Sequence, residues 1–370
     1  MHFTAEQEAL TRALGQVARV VAAQNTLPVL AGIQLQAEGD TLRVSATDLT
    51  TLLEAEIPVE VREPGVVVIP AATLHDLVHR IPTPAVEFHQ ADPQGPVTVR
   101  YGRNRATLHG FGAERLPAFP VPEGEPKALS LPPTAWAQAP QQLLFACARD
   151  DSRPILKGVS LTLGEGRAVL AATDGSRLSQ SWFPAPEQLG APVRAVLPAR
   201  TVAELARLSA GYERLEVLVT DNLVLARVPG LTLTSRLLDG TFPDYERVIP
   251  REYLVTVRVR LADLRGAVER VHVITGRDHT ASLRLHHQPG LLEVSASSPE
   301  YGQAFEEVEC QSEGEAMDIL FNPAYFLEAL KSLDDGEAML EFAGIHAAAR
   351  FRSSAAPGYF HILLPLRQAV

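Results

Sequence analysis

His75 and His79 stand four residues apart in HDLVH, the interval at which one face of a helix offers two imidazoles to a zinc ion. A hydrolytic zinc site of that kind needs a glutamate directly after the first histidine, and Asp76 follows instead. Cys147 and Cys310 are the only cysteines, too few for a disulfide framework and outside any C-x-x-C spacing, so both are read as packed thiols. In ATDGS, from Ala172, the Asp and Gly suit a turn between strands better than a nucleophile. The chain has no Walker loop, no G-x-G-x-x-G after a strand and no G-x-S-x-G elbow. The expectation is therefore a protein that is not an enzyme and needs no metal or cofactor.

The remaining chemistry is charge and apolar surface. With 33 Lys and Arg against 44 Asp and Glu, the net charge of −11 argues against blanket electrostatic attraction to DNA, which needs many cationic contacts to phosphate. At the other end of the polarity scale, HILLPLRQAV places Ile362, Leu364, Pro365 and Leu366 near a terminus, where chains are usually frayed and polar. These residues form either a plain core strand or an apolar surface with a purpose.

The elements that must position these groups repeat three times. LPVLAGIQLQAEGDTLRVSATD from Leu27 returns as RPILKGVSLTLGEGRAVLAATD from Arg153 and more faintly as TASLRLHHQPGLLEVSASS from Thr280, each reading as two strands around a Gly turn. Apolar strands ending at Pro70, Pro198 and Pro323 lead into helical patterns carrying the pairs Leu74 and Leu77, Val202 and Leu205, and Leu327 and Leu330. Closing hairpins start at Val97, Glu216 and Met339, and opening helical patterns at Ala5, Pro133 and Arg260. Pro-rich joints at Pro120–Pro126 and Ile249–Pro250 set boundaries at 1–122, 128–249 and 252–370. The fold class expected is α+β: three repeated units, each two helices packed on antiparallel sheets. A composition of 46% apolar and 21% charged residues suits a folded chain throughout. No run is long and apolar enough for a membrane span and the start lacks a basic-then-apolar leader, so the location expected is cytoplasmic, with no membrane partner.

At TLPVL from Thr26, AATDGSRL, TSRLLDGTFPDYERVIP from Thr234, FNPAYF from Phe321 and LLPLR from Leu363, the chain resembles the bacterial sliding clamp, the β subunit of the replicative DNA polymerase. The resemblance spans essentially the whole chain. It implies a head-to-tail homodimer of six pseudo-equivalent clamp units, a ring with helices lining the hole, and a processivity factor that slides on encircled duplex DNA. A ring also answers the acidic charge, because topology rather than attraction holds it on DNA. The partners implied are the polymerase catalytic subunit, the clamp loader, and other polymerases and repair proteins, all held through short apolar peptides. A protein-only repeat scaffold is the alternative.

The resemblance also implies sites. The peptide cleft would be walled by Leu156, Thr173, Gly175, Ser176, Arg177 and Leu178, by Pro243, Arg247 and Val248, and by Ile362, Leu364, Pro365, Leu366 and Arg367. Arg177, Arg247 and Arg367 would hold polar groups of the peptide. DNA-facing residues would be Gln24, Arg149 and Arg153, with Arg12, Arg19, Arg80, Arg200, Arg207 and Arg265 on the helices, although arginines on amphipathic helices can equally be simply solvated. Gln24, Pro154, Ile155 and Ser176 depart from the family pattern, which has a basic residue, aromatic residues and a histidine at such places. Ring closure would set Ala106 and Leu108 of the first unit against Val273 and Ile274 of the third, or leave all four as core.

Overall fold

The structure, a computed structural model, describes residues 1–21, 27–129, 131–185, 192–275 and 282–367. Among them are six α-helices: α1 Gln7–Val17, α2 Ala71–His79, α3 Pro133–Leu143, α4 Ala199–Gly211, α5 Leu261–Thr275 and α6 Pro323–Ser332. Each has a single apolar stripe. α1 buries Leu10, Ala13, Leu14 and Val17, and α5 buries Leu261, Leu264, Val268 and Val271, the three-and-four spacing that lays one helix face on a core. α6 starts at Pro323 behind Asn322, whose side chain accepts the Tyr325 N–H at 3.1 Å and so satisfies one free donor of the first turn.

The hairpins of the three repeats are present. Gly32–Glu38 pairs with Thr41–Thr47, Gly158–Gly164 with Arg167–Thr173, and Leu283–Gln288 with Leu291–Ser298. Their turns carry Gly39, Gly166 and Gly290 at φ of +59, +71 and +84, where a Cβ would be strained. The residues before the first two, read as strand, form short 3-10 turns at Pro28–Ala31 and Pro154–Lys157.

Two further expectations change. The first and third repeats open with strands, His2–Glu6 and Val255–Arg260, that run directly into α1 and α5; the helical reading from Ala5 and Arg260 began too early. A strand of five or six residues abutting a helix gives too little alternation to mark the switch of period. Pro70 and Pro198 end the preceding strands, and of these three prolines Pro323 occupies the first helical turn.

The chain divides into two compact units, Met1–Leu129 with Tyr212–Leu237, and Ser130–Gly211 with Leu238–Val370. In the first, α1 packs on α2, and the strands form two sheets. One has the order Glu60–Glu63, His2–Glu6, Ala85–His89, Val97–Tyr101 and Asn104–Leu108. The other has eight strands, and its middle joins Leu231–Arg236 of the second repeat to Thr51–Pro58 of the first, with Leu233 opposite Leu53. In the second unit, a nine-stranded sheet likewise joins Arg177–Pro184 to Tyr359–Leu363, with Leu178 opposite Ile362. A four-stranded sheet ends at Gly302–Glu309 on one side and Met317–Phe321 on the other. The division therefore passes through the middle repeat, because its two hairpins are hydrogen-bonded into different sheets. No helix among the described residues is long and apolar enough to cross a membrane.

Candidate functional site

The residues expected to wall a cleft all lie in the second unit, where Arg177 and Leu178 pair with Leu363 and Ile362 at the seam between Arg177–Pro184 and Tyr359–Leu363. Thr173 to Arg177 form a tight turn: the Thr173 hydroxyl donates to the Arg177 carbonyl at 2.6 Å, and Asp174 Oδ1 accepts the N–H groups of Ser176 and Arg177 at 2.9 and 3.1 Å. Gly175 sits at φ +94, which explains the glycine of ATDGS and supports its reading as a turn. The Leu364 N–H donates to the Ser176 carbonyl at 3.1 Å and the Leu366 N–H to the Leu320 carbonyl at 2.7 Å, so the segment past the last strand is tied down at both leucines.

Burial sorts the residues into floor and rim. Leu156, Thr173, Leu178 and Ile362 are buried, and Leu178 and Ile362 share one apolar cluster with Ala171 and Ala348, against which Tyr245 and Ile249 pack. Tyr245 belongs to the 3-10 turn Tyr245–Val248, so Arg247 and Val248 come to the same place. Val248, which closes the turn that starts at Tyr245, and Leu364 and Leu366, which follow the last strand, stay 52%, 43% and 40% exposed. Pro243 and Arg367 are exposed, Pro365 is half-buried, and the 84% exposed Arg247 lies 2.7 Å from Asp244. Burial pushes the Tyr245 hydroxyl up to about 12, so it stays a neutral donor. Tyr245 went unnoticed in the sequence, where nothing distinguishes it from an ordinary loop tyrosine.

Arg177 is placed differently from the sequence expectation. Its side chain is 2% exposed, its Nε donates to Asp174 at 2.9 Å, and its Nη1 and Nη2 are taken by Glu328 on α6 and by the Phe145 carbonyl. Its guanidinium lies 4.0 Å from the Tyr325 ring centre and 5.3 Å from that of Phe145. Its fork is thus spent inside the fold, bracing the turn, and Arg247 and Arg367 are the arginines presented at the surface.

Of the residues expected to face DNA, Gln24 lies outside the described residues. Arg12 is exposed on α1, Arg19 lies in the 3-10 turn after it, and Arg80 follows α2, 3.4 Å from Asp76. In the second unit Arg200 and Arg207 are exposed on α4, with Arg207 paired to Glu204, and Arg265 on α5 sits 3.6 Å from Asp335. Arg149 is 80% exposed and 3.3 Å from Glu328, while Arg153 donates to the Asp174 carbonyl at 3.2 Å. Several of these cations already have an acidic neighbour, which weakens any grip on phosphate.

Ala106 is half-buried and Leu108 buried on Asn104–Leu108, the edge strand of the five-stranded sheet in the first unit, where Arg105 is exposed, as is Arg103 in the turn before it. In the second unit Val273 is 71% exposed and Ile274 half-buried on α5, which packs against the edge strand Gly302–Glu309. That strand adds Phe305, 58% exposed, which alternation alone could not flag because Ala304 and Phe305 stand side by side and Glu306 and Glu307 follow. Val273 is not core. Elsewhere, the His75 and His79 rings stack 6.0 Å apart, and among the described residues no three His, Cys, Asp or Glu side chains gather as a metal site.

Comparison with known proteins agrees along the whole chain. Residues 1–120, 130–244 and 246–367 match the N-terminal, central and C-terminal domains of the DNA polymerase III beta subunit. A beta sliding clamp of Caulobacter vibrioides is 34% identical over 99% of this chain and all of its own. The crystal structure of the Bacillus subtilis DNA polymerase sliding clamp superposes with a TM-score of 0.93 at 26% identity, covering 100% of both chains. A Pseudomonas aeruginosa sliding clamp solved with griselimycin bound superposes at 0.89 with 30% identity over 99% of each. The chain belongs to the DNA polymerase III beta subunit family, the sliding clamps that act as processivity factors in bacterial DNA replication.

Proposed function

We propose that two copies of this chain close head to tail around duplex DNA and that Val248, Leu364 and Leu366 receive the apolar anchors of short peptides carried by the polymerase catalytic subunit, the clamp loader and repair proteins. The observation that carries this reading is the exposed leucine pair held by backbone hydrogen bonds just past Ile362, which is buried with Leu178. Fixed apolar side chains beside a rigid turn bind a flexible peptide without first having to be ordered themselves. That a sliding clamp of Pseudomonas aeruginosa binds griselimycin supports a ligand-accepting surface on this fold. Arg247 and Arg367 hold the peptide's polar groups.

Processivity follows from topology. A partner tethered to a ring that cannot leave the duplex rebinds intramolecularly, at a high effective concentration. The DNA-facing arginines, several already neutralised, make contacts to phosphate that are too weak to stop sliding. Closure pairs the edge Asn104–Leu108, bearing Arg105, with the partner copy's edge Gly302–Glu309, bearing Glu307, and covers Val273 and Phe305. The protein works in the cytoplasm, catalyses no reaction itself and needs no cofactor. Protein assembled on nicked circular DNA by a clamp loader is retained through gel filtration and released once the DNA is cut to linear form. Retention that does not depend on circularity would instead support a protein-only scaffold or simple DNA affinity.

A further inference from the structure

Glu328 on α6 serves two arginines at once. One carboxylate oxygen holds Nη1 of Arg177, and the other accepts from Nη2 of Arg149 at 3.3 Å. The two partners differ sharply. Arg177 is buried, fixed also by Asp174 and the Phe145 carbonyl, and stacked on Tyr325. Arg149 is 80% exposed, and an ion pair that open contributes little and yields readily to a competing anion.

We propose that Glu328 is a positioning residue for the cleft and that it couples the cleft to DNA. A duplex phosphate that captures Arg149 leaves Glu328 wholly to Arg177. The two guanidinium groups repel one another across the carboxylate they share, so drawing Arg149 away to a phosphate relieves that repulsion and lets Glu328 settle on Arg177. Arg177 is part of the turn whose Ser176 carbonyl anchors the Leu364 N–H, so a firmer Arg177 holds the peptide-bearing rim more firmly. Peptide then binds more tightly when duplex is present, and by linkage the duplex is held more tightly by the same factor when peptide is bound. The exposure of the Arg149 arm keeps the effect modest, about two- to five-fold. This inference rests on the readings of Arg149 as DNA-facing and of Leu364 and Leu366 as the peptide rim.

Fluorescence anisotropy of a short labelled peptide with Leu and Phe anchors, titrated with the full-length protein at low ionic strength, tests it in the absence and presence of a short blunt duplex. The unaltered protein gains about two- to five-fold in peptide affinity when duplex is added. Arg149→Gln shows the raised affinity without duplex and no response to it, whereas Glu328→Gln lowers peptide affinity in both conditions. An equal response to duplex in Arg149→Gln overturns the coupling, as does no response in the unaltered protein when duplex and peptide each bind. Failure of the peptide to bind overturns the cleft itself, and failure of the duplex to bind overturns the reading of Arg149; either removes the inference with it.

Discussion

Replacing Leu364 and Leu366 together by Ala tests the proposed peptide rim. Both side chains keep about two fifths of their surface in water, 43% and 40%, so a peptide that covers them buries that fraction anew. Full burial of a leucine is worth about 1.5–3 kcal/mol, which makes each exposed portion worth about 1 kcal/mol and the pair about 2 kcal/mol. The expected loss of peptide affinity is about 30-fold. The backbone bonds of Leu364 to Ser176 and of Leu366 to Leu320 need no side chain, so the double variant keeps its fold and its mass in solution, while loss of the packed three fifths of each leucine lowers its melting temperature by several degrees. Anisotropy titration of a labelled peptide with apolar anchors measures the loss, with calorimetric melting as the control. A change below about two-fold in a variant that still melts cooperatively would refute the argument, because a surface worth that little on removal cannot be where the peptide docks.

Three other expectations follow from the same geometry. Arg177→Met keeps the stem but strands Asp174 and Glu328 beside an unpaired carbonyl; for a partly buried network the cost is about 2–3 kcal/mol, seen calorimetrically as a fall of about 5–10 °C in the melting of the second unit. Phe305→Glu places a charge on a closing edge, and because a head-to-tail ring carries two such contacts, light scattering should show the mass falling from twice 40.1 kDa towards one chain at micromolar protein. His361 is fully buried with Ser179 at 2.8 Å, and burial pushes its pKa from 6.5 down to about 3. The native state therefore holds it neutral while the unfolded chain takes up a proton below about pH 6.5, so its contribution is complete above that pH and is lost towards pH 3. Denaturant melts between neutral and mildly acidic pH should show a flatter acid limb for His361→Gln than for the unaltered protein.

The repeats were readable because each is local. Gly39, Gly166 and Gly290 mark turns wherever two apolar alternations meet, and Leu10, Leu14 and Val17 or Leu264, Val268 and Val271 mark helix faces without reference to the rest of the chain. Pairing across repeats was not readable residue by residue, since periodicity carries no information on which distant strand Leu231–Arg236 or Tyr359–Leu363 will join. The part played by Arg177 was hidden for the same reason. Asp174 is a neighbour in sequence, but Glu328 is 151 residues away, and only folding brings them to one guanidinium. The apolar run from Ile362 to Leu366 was legible in the sequence, whereas its division into a buried Ile362 and exposed Leu364 and Leu366 needed the fold, which packs Tyr245 and Ile249 on Leu178 and Ile362.

The sheet that joins Leu231–Arg236 to Thr51–Pro58, and the one that joins Arg177–Pro184 to Tyr359–Leu363, separate the unit of duplication from the unit of cooperativity. A middle repeat cut out along its sequence boundaries would expose two raw strand edges, each a template for aggregation. In native-state hydrogen exchange the amides of its last hairpin should open together with strands of the first repeat, and those of its first hairpin with strands of the third. Gene fusions or circular permutations placed at the repeat joints would therefore sever foldons, although the sequence marks those joints as its natural borders.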